Sequence, residues 1–300
     1  MSDFQSPTKT FHKKTYPALD PTRPELSAKG KTIIITGGGT GIGAETAKYF
    51  AKAGAARVAI LGRREQPLFD TKAAINAETP AIEVFAIPTD VTNKSEVDAA
   101  FAKVGGTIDV LVSNAAVIGK MGNIADITTE EFLSGIITNL QGNVNVTKAF
   151  LNYAAKDGVI IETNSAAAHL NIAGGFGSYN VSKMATARFY SSLKLEQPNL
   201  AIFSVQPGAV DSEMSRRAGY KEKKDGEEYA WKGEGTDALG THDDANLPAS
   251  FYVWLASPEG RFLDGKYLWA NWDVDELKAQ TKKIESTQFL SIGLDGWPFE

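Results

Sequence analysis

Tyr179 and Lys183 stand four residues apart in a stretch that opens a helix, Ser178-Tyr179-Asn180-Val181-Ser182-Lys183. Positions i and i+4 share one helix face, so the phenol and the ammonium project into the same space. A free phenol titrates near pH ~10, too high for proton transfer at neutrality, and a cationic neighbour lowers that value. Upstream, Val159-Ile160-Ile161 reads as a buried strand that ends at Thr163-Asn164-Ser165. A loop carrying Gly174, Gly175 and Gly177 joins it to the helix. The Ser165 hydroxyl at that strand end is expected in the same cleft. Serine, tyrosine and lysine then form a proton-transfer site that needs neither metal nor thiol. A Tyr-x3-Lys pair is common on solvated helices, so the spacing acquires meaning only beside a second signal.

That signal lies near the start of the chain. Thr32-Ile33-Ile34-Ile35 is a short apolar run typical of a buried parallel strand. Thr36-Gly37-Gly38-Gly39-Thr40-Gly41-Ile42-Gly43 leads from it into an amphipathic helix expected over 41–53. Bare backbone at a strand–turn–helix junction lets a pyrophosphate approach, and the helix N-terminus offers free N–H groups and a positive partial charge. Gly37, Gly41 and Gly43 carry that geometry, with Thr36, Gly39, Thr40 and Ile42 as further candidate contacts to a dinucleotide. No Walker lysine follows, which disfavours a nucleoside triphosphate. The next strand ends Leu61-Gly62-Arg63-Arg64. An acidic residue at this place binds a ribose 2′-hydroxyl, whereas arginine accommodates a 2′-phosphate. Arg63 and Arg64 therefore predict NADP (NADPH) rather than NAD. Glu65 competes, either for one guanidinium or for the ribose hydroxyls.

These residues need elements to hold them. Further strands are expected at 57–61, 82–87, 108–112, 201–205 and 266–269, with helices near 68–78, 94–104, 128–155 and 274–283. Alternating strands and helices imply an α/β fold, a doubly wound parallel Rossmann sheet covered on both faces. A single domain over 29–300 is expected, preceded by an arm, 1–28, in which Pro7, Pro17, Pro21 and Pro24 oppose regular structure. Lys9, Lys13 and Lys14 on that arm are expected to be solvated. Between Pro207 and Pro248 the rhythm stops, and Met214, Tyr220, Tyr229 and Trp231 stand among charged residues and glycines. Those aromatics favour a substrate lid over about 209–247 against an apolar ligand. The C-terminal helix and tail, 274–300, carry Phe289, Leu290, Leu294, Trp297 and Phe299. They must bury in the subunit's own surface or in an intersubunit groove.

Composition narrows the function classes. A net charge of −5 and a pI of 5.4 disfavour nucleic-acid or anionic-membrane partners. With no cysteine there is no disulfide, iron–sulfur or thiolate chemistry. His12, His169 and His242 lack ligand-like spacing, so no metal is expected. No apolar run reaches the ~18 residues of a membrane span, and the first thirty residues contain no signal-peptide core. Sequons fall at Asn145 and Asn180, the second inside the proposed catalytic helix, which fits a cytoplasmic location.

With these motifs in view, the chain from Lys29 to Trp272 resembles the short-chain dehydrogenase/reductase family. The family's T-G-x3-G-x-G is matched by Thr36, Gly37, Gly41 and Gly43, and its acidic adenine contact by Asp90, followed by Val91. Its N-N-A-G is matched by Ser113-Asn114-Ala115-Ala116, its helix asparagine by Asn139, and its Pro-Gly turn by Pro207 and Gly208. Val210 and Ser212 follow that turn as further cofactor contacts. Ser113 and Ala116 depart from N-N-A-G, Ser212 replaces a threonine, and Ser165 precedes Tyr179 by one residue more than is common. The arm and Trp269-Ala270-Asn271-Trp272-Asp273-Val274 are similar to a fungal branch.

The resemblance implies roles. Tyr179 would exchange a proton with the substrate oxygen, and Lys183 would lower its pKa and bind the nicotinamide ribose. Ser165 would orient the carbonyl, and Asn139 would hold a proton-relaying water. A homodimer or homotetramer is implied as well. The function expected is hydride transfer between NADPH and a carbonyl or secondary alcohol of a small, apolar or cyclic metabolite. Alternatives are an isomerase, epimerase or dehydratase on the same fold, or a non-catalytic nucleotide-sensing binding protein. Candidate substrate contacts are His169, Met214 and Tyr220, with His169 a hydrogen-bonded loop residue rather than an acid/base group.

Overall fold

The computed structural model describes residues 6–171, 173–220 and 243–293. Seven strands build one parallel sheet: β1 (Thr32–Thr36), β2 (Arg57–Gly62), β3 (Glu83–Pro88), β4 (Ile108–Ser113), β5 (Ala154–Thr163), β6 (Ala201–Gln206) and β7 (Tyr267–Trp269). Their order is β3-β2-β1-β4-β5-β6-β7. Side chains alternate between two cores, as the two-residue period of a strand requires. Ile33 and Ile35 enter one core with Val58, Ile60, Val110 and Val112, while Ile34 enters the other with Ala59, Leu61 and Leu111. The helices α1 (Gly41–Lys52), α2 (Glu65–Glu78) and α7 (Asn246–Leu255) cover the first core. The second lies under α3 (Lys94–Val104), α4 (Thr129–Leu151) and α5 (Gly177–Glu196). Burial on both faces explains why β1 is apolar at every central position. Because β1 neighbours β4, the chain leaves the sheet in opposite directions there, and a crevice opens at their carboxyl ends.

Several sequence expectations shift. The helix expected over 128–155 ends at Leu151, and β5 begins at Ala154, with a register shift against β4 between Ile108 and Val110. The helix expected over 274–283 is two short ones, α8 (Val274–Lys278) and α9 (Thr281–Ser286). A helix not expected at all, α7, is buried from Leu247 to Leu255. Pro248 falls in its first turn, where a missing N–H costs nothing.

The described arm is not a solvated strand. It makes two 3-10 turns, Pro17–Leu19 and Pro24–Leu26, each opened by proline, and Leu19 and Leu26 enter the first core. Before those turns it runs beside the C-terminal segment. Phe11 forms an antiparallel bridge with Trp272, the His12 N–H donates to Asn271 O, and Asn271 Nδ2 donates back to His12 O. The His12 ring meets Asp273 at 2.9 Å, the Lys9 N–H donates to Glu276, and Gln280 donates to the Pro7 carbonyl. Phe289 and Leu290 pack on the subunit's own core, and the Tyr267 N–H donates to Leu290 O. Leu294, Trp297 and Phe299, and most of the expected lid including Tyr229 and Trp231, lie outside the described residues.

Candidate active site

The β1–α1 turn is built so that only glycine fits. Gly37 (φ +68°) and Gly41 (φ +54°) take left-handed backbone conformations. A Cβ on Gly37 would lie 2.8 Å from Asn114 Nδ2, and one on Gly43 would run into the Gly37 carbonyl. The turn is tied to β4. Thr36 Oγ1 accepts from the N–H groups of Asn114 and Ala115, both at 2.9 Å, and Asn114 Nδ2 donates to Thr36 O at 2.9 Å. Asn114 and Ala115 thus shape the loop from behind. Thr40 precedes α1 without capping it through its side chain, so the first-turn N–H groups keep no intrahelical partner. Above Gly41 a Cβ would meet only Ser212 Cβ, at 3.6 Å. Ser212 itself caps α6 (Glu213–Arg217) through Ser215. Bare backbone, open space and uncapped N–H groups fit a pyrophosphate.

The adenosine side divides the two arginines. Arg64 is bound to Glu213 of α6 at 2.7 Å, whereas Arg63 is exposed near Asp90. Asp90 is held below the usual carboxylate range by the Thr92 N–H, with the Thr92 hydroxyl and Arg63 adding to it. The Asn145 amide donates to Val91 O at 3.0 Å and fixes that backbone. At the far side Gly208 (φ +100°) turns the chain after Pro207, and Val210 bridges to Asp243.

The acid/base group assembles at the end of β5. The Tyr179 phenol and the Ser165 hydroxyl are near neighbours, and Lys183 Nζ lies 5.8 Å from the Tyr179 ring centroid. The ammonium donates to Thr163 O at 2.7 Å and is almost wholly buried. Burial pushes the Tyr179 phenol up to about 12; the Ser165 hydroxyl opposes that rise and a carboxylate at Glu162 adds to it. The Lys183 ammonium donates to the Thr163 carbonyl while standing over the Tyr179 ring. Burial also holds Lys183 below its ordinary range, against the pull of Glu162. Asn139 is committed to main chain: its Oδ1 accepts from the Val117 N–H and its Nδ2 donates to Val117 O, both at 2.8 Å.

The candidate substrate contacts separate. Tyr220 joins Tyr179 in a small apolar group with Phe176, Ala218, Ile118, Met121 and Ala173. Met214, on α6, is outside that group. His169 accepts from the Trp269 indole N–H at 3.2 Å and stands edge-on to Tyr267 and Trp269, with burial lowering its pKa. Sequence reasoning missed Ile118, Met121 and Phe176, which share this apolar group with Tyr179. It also passed over Glu162, whose signal was a charge inside an apolar strand.

The sheet order and the glycine turn together define a Rossmann-like α/β nucleotide-binding fold. Residues 31–223 match the short chain dehydrogenase family. The chain is 35% identical to the short chain dehydrogenase/reductase AacuD of Aspergillus aculeatus, over 98% of this chain and 99% of the relative. Identity to a short chain dehydrogenase/reductase of Claviceps purpurea is 34%, over 96% and 94% of the two chains. In fold it also matches the crystal structure of a short chain dehydrogenase from Burkholderia cenocepacia in complex with NADP. That match has a TM-score of 0.67 at 24% identity, covering 83% of this chain and 99% of that one. This chain belongs to the short-chain dehydrogenase/reductase family of NAD(P)-dependent oxidoreductases and has fungal relatives.

Proposed function

We propose that the protein is an NADPH-dependent reductase of a carbonyl, or the reverse dehydrogenase, acting on a small apolar or cyclic metabolite. The observation that carries this is the Tyr179 phenol grouped with Ser165 and the buried Lys183 at the carboxyl edge of the sheet, which also carries the uncapped N-terminus of α1. The cofactor, when bound, supplies or accepts the hydride. The N–H groups of Gly41, Ile42 and Gly43 would hold its pyrophosphate, Arg63 its 2′-phosphate, and Asp90 and Val91 the adenine. Tyr179 donates its proton to the substrate oxygen while Ser165 orients that oxygen. Lys183 meets the nicotinamide ribose. Tyr220, Phe176, Ile118 and Met121 offer an apolar wall on the substrate side, which supports an apolar or cyclic ligand. The protein is also proposed to be cytoplasmic and to associate with copies of itself. Leu133 and Ile137 of α4 and Val181 and Met184 of α5 remain exposed, and association would cover them. Among the described residues no helix is long and apolar enough to cross a membrane. The test is a panel of aliphatic, alicyclic and aromatic carbonyls followed by NADPH absorbance. One NADPH consumed per alcohol formed supports a reductase; product formed without NADPH consumption refutes it.

A further inference from the structure

Behind the tyrosine and lysine lies a carboxyl group for which the chemistry above has no use. Glu162, on β5, is fully buried. Its Oε1 accepts from Asn164 Nδ2 at 2.8 Å and from Thr186 Oγ1 at 2.9 Å, and its Oε2 accepts from Asn164 Nδ2 at 2.8 Å. The Ser204 hydroxyl of β6 also helps to lower its pKa. The Asn164 amide cannot be turned round, because its Oδ1 accepts from the Ser165 N–H at 2.7 Å. Tyr267 closes the circuit by donating to Ser165 O. Asn164 and Thr186 thus bring donors to both carboxyl oxygens, the arrangement an acceptor-only carboxylate needs; burial pushes its pKa up, and Lys183 and these donors oppose that rise. A buried carboxylate needs a buried cation, and Lys183 is the one in its field.

We propose that Glu162 is a positioning residue of this active site: its carboxylate clamps Asn164, and through it the Ser165 backbone, and is the counter-charge of Lys183. Lys183, Tyr179 and Tyr190 of α5, Tyr252 of α7 and Tyr267 of β7 are the titratable groups in its field. Its charge favours the ammonium of Lys183 and the neutral phenol of Tyr179, so both effects extend the protonated site to higher pH.

The test rests on the reductase reading for its activity arm and is independent of it in the other. In Glu162→Gln the charge goes and the shape stays. With phenanthrenequinone as probe carbonyl, kcat at neutral pH should fall about tenfold or more, the low end of what a positioned acid contributes. The basic limb of its pH profile should move down by about one unit or more, while KM for NADPH changes little. Glu162→Asp keeps the charge but is one methylene too short for Asn164. It should keep the limb near its wild-type position and release the Ser165 amide to faster hydrogen exchange. An unmoved limb in a folded Glu162→Gln protein, an equal shift in both variants, or unchanged Ser165 exchange in Glu162→Asp each overturns the proposal. Should the wild type reduce no carbonyl, the reductase reading fails, and Ser165 exchange still decides whether Glu162 holds Asn164.

Discussion

Replacing Arg63 with alanine probes the adenosine end of the site, where the two arginines are unequal. Arg64 already spends its guanidinium on Glu213, 2.7 Å away, whereas Arg63 stands exposed at the end of β2 beside Asp90. A charge-assisted contact to a 2′-phosphate contributes about 1.5–3 kcal/mol. At ~1.4 kcal/mol per decade, that is roughly ten- to a hundredfold in kcat/KM. Arg63→Ala should therefore lose NADPH efficiency by that factor and leave NADH nearly untouched, erasing the preference. Arg64→Ala should do less, because what it gives up first is its bond to Glu213. The assay is kcat/KM for both cofactors at one saturating carbonyl, backed by fluorescence titration of NADPH and NADH in its absence. Raising the salt should shrink the wild-type preference, as expected for a solvent-facing charge pair. A wild type that uses NADH equally well, or an Arg63→Ala protein with an unchanged cofactor ratio, would refute the assignment of Arg63 to the phosphate.

Tyr179→Phe keeps the ring among Phe176 and Tyr220 and removes the hydroxyl next to Ser165. Turnover should fall by ~10² or more with NADPH binding intact, and near-normal turnover would sink the acid role. The phenol of Tyr179 is raised to about 12. Its stabilisation is therefore complete below pH ~10 and lost as pH climbs from there to about 12. Difference titration of tyrosinate absorbance between wild type and Tyr179→Phe should show the missing tyrosine ionising above pH ~10, and one ionising near the ordinary phenol value would contradict the burial. Leu19 is wholly buried though it sits on the arm, so Leu19→Ala should cost ~2–5 kcal/mol in denaturant unfolding. A loss under ~1 kcal/mol would mean that the arm merely rests on the surface.

What was legible in the sequence followed from periods and local spacing. Runs such as Ile33–Ile35 are apolar without interruption because both sheet faces are covered. The five glycines between 37 and 43 fix a turn by sterics alone. The helix α7 was illegible for the opposite reason. Phe251, Tyr252, Val253 and Trp254 are all buried, so no polar face marks a helical period. The arm misled because prolines read as irregular chain, yet Leu19 and Leu26 end proline-opened turns that dip into the core. Pairings across the fold, Arg64 with Glu213 and Glu162 with Thr186, depend on tertiary placement that no local window holds. For Tyr179, helical spacing placed the lysine nearby but could not weigh burial against it.

The arm's attachment also sets an order of events in time. Asn271 bonds His12 across 259 residues, and the turns around Leu19 and Leu26 pack on α7 and on Pro258–Leu263. Each of these partners is translated long after the arm itself. At ~5–20 residues per second, the first-made segment waits roughly 12–50 s for its seat. Through that interval Leu19 and Leu26 are uncovered apolar groups on a nascent protein whose sheet is already forming behind them. The arm is thus made before the elements that seat it and docks after them, and a holding chaperone would find its handle there.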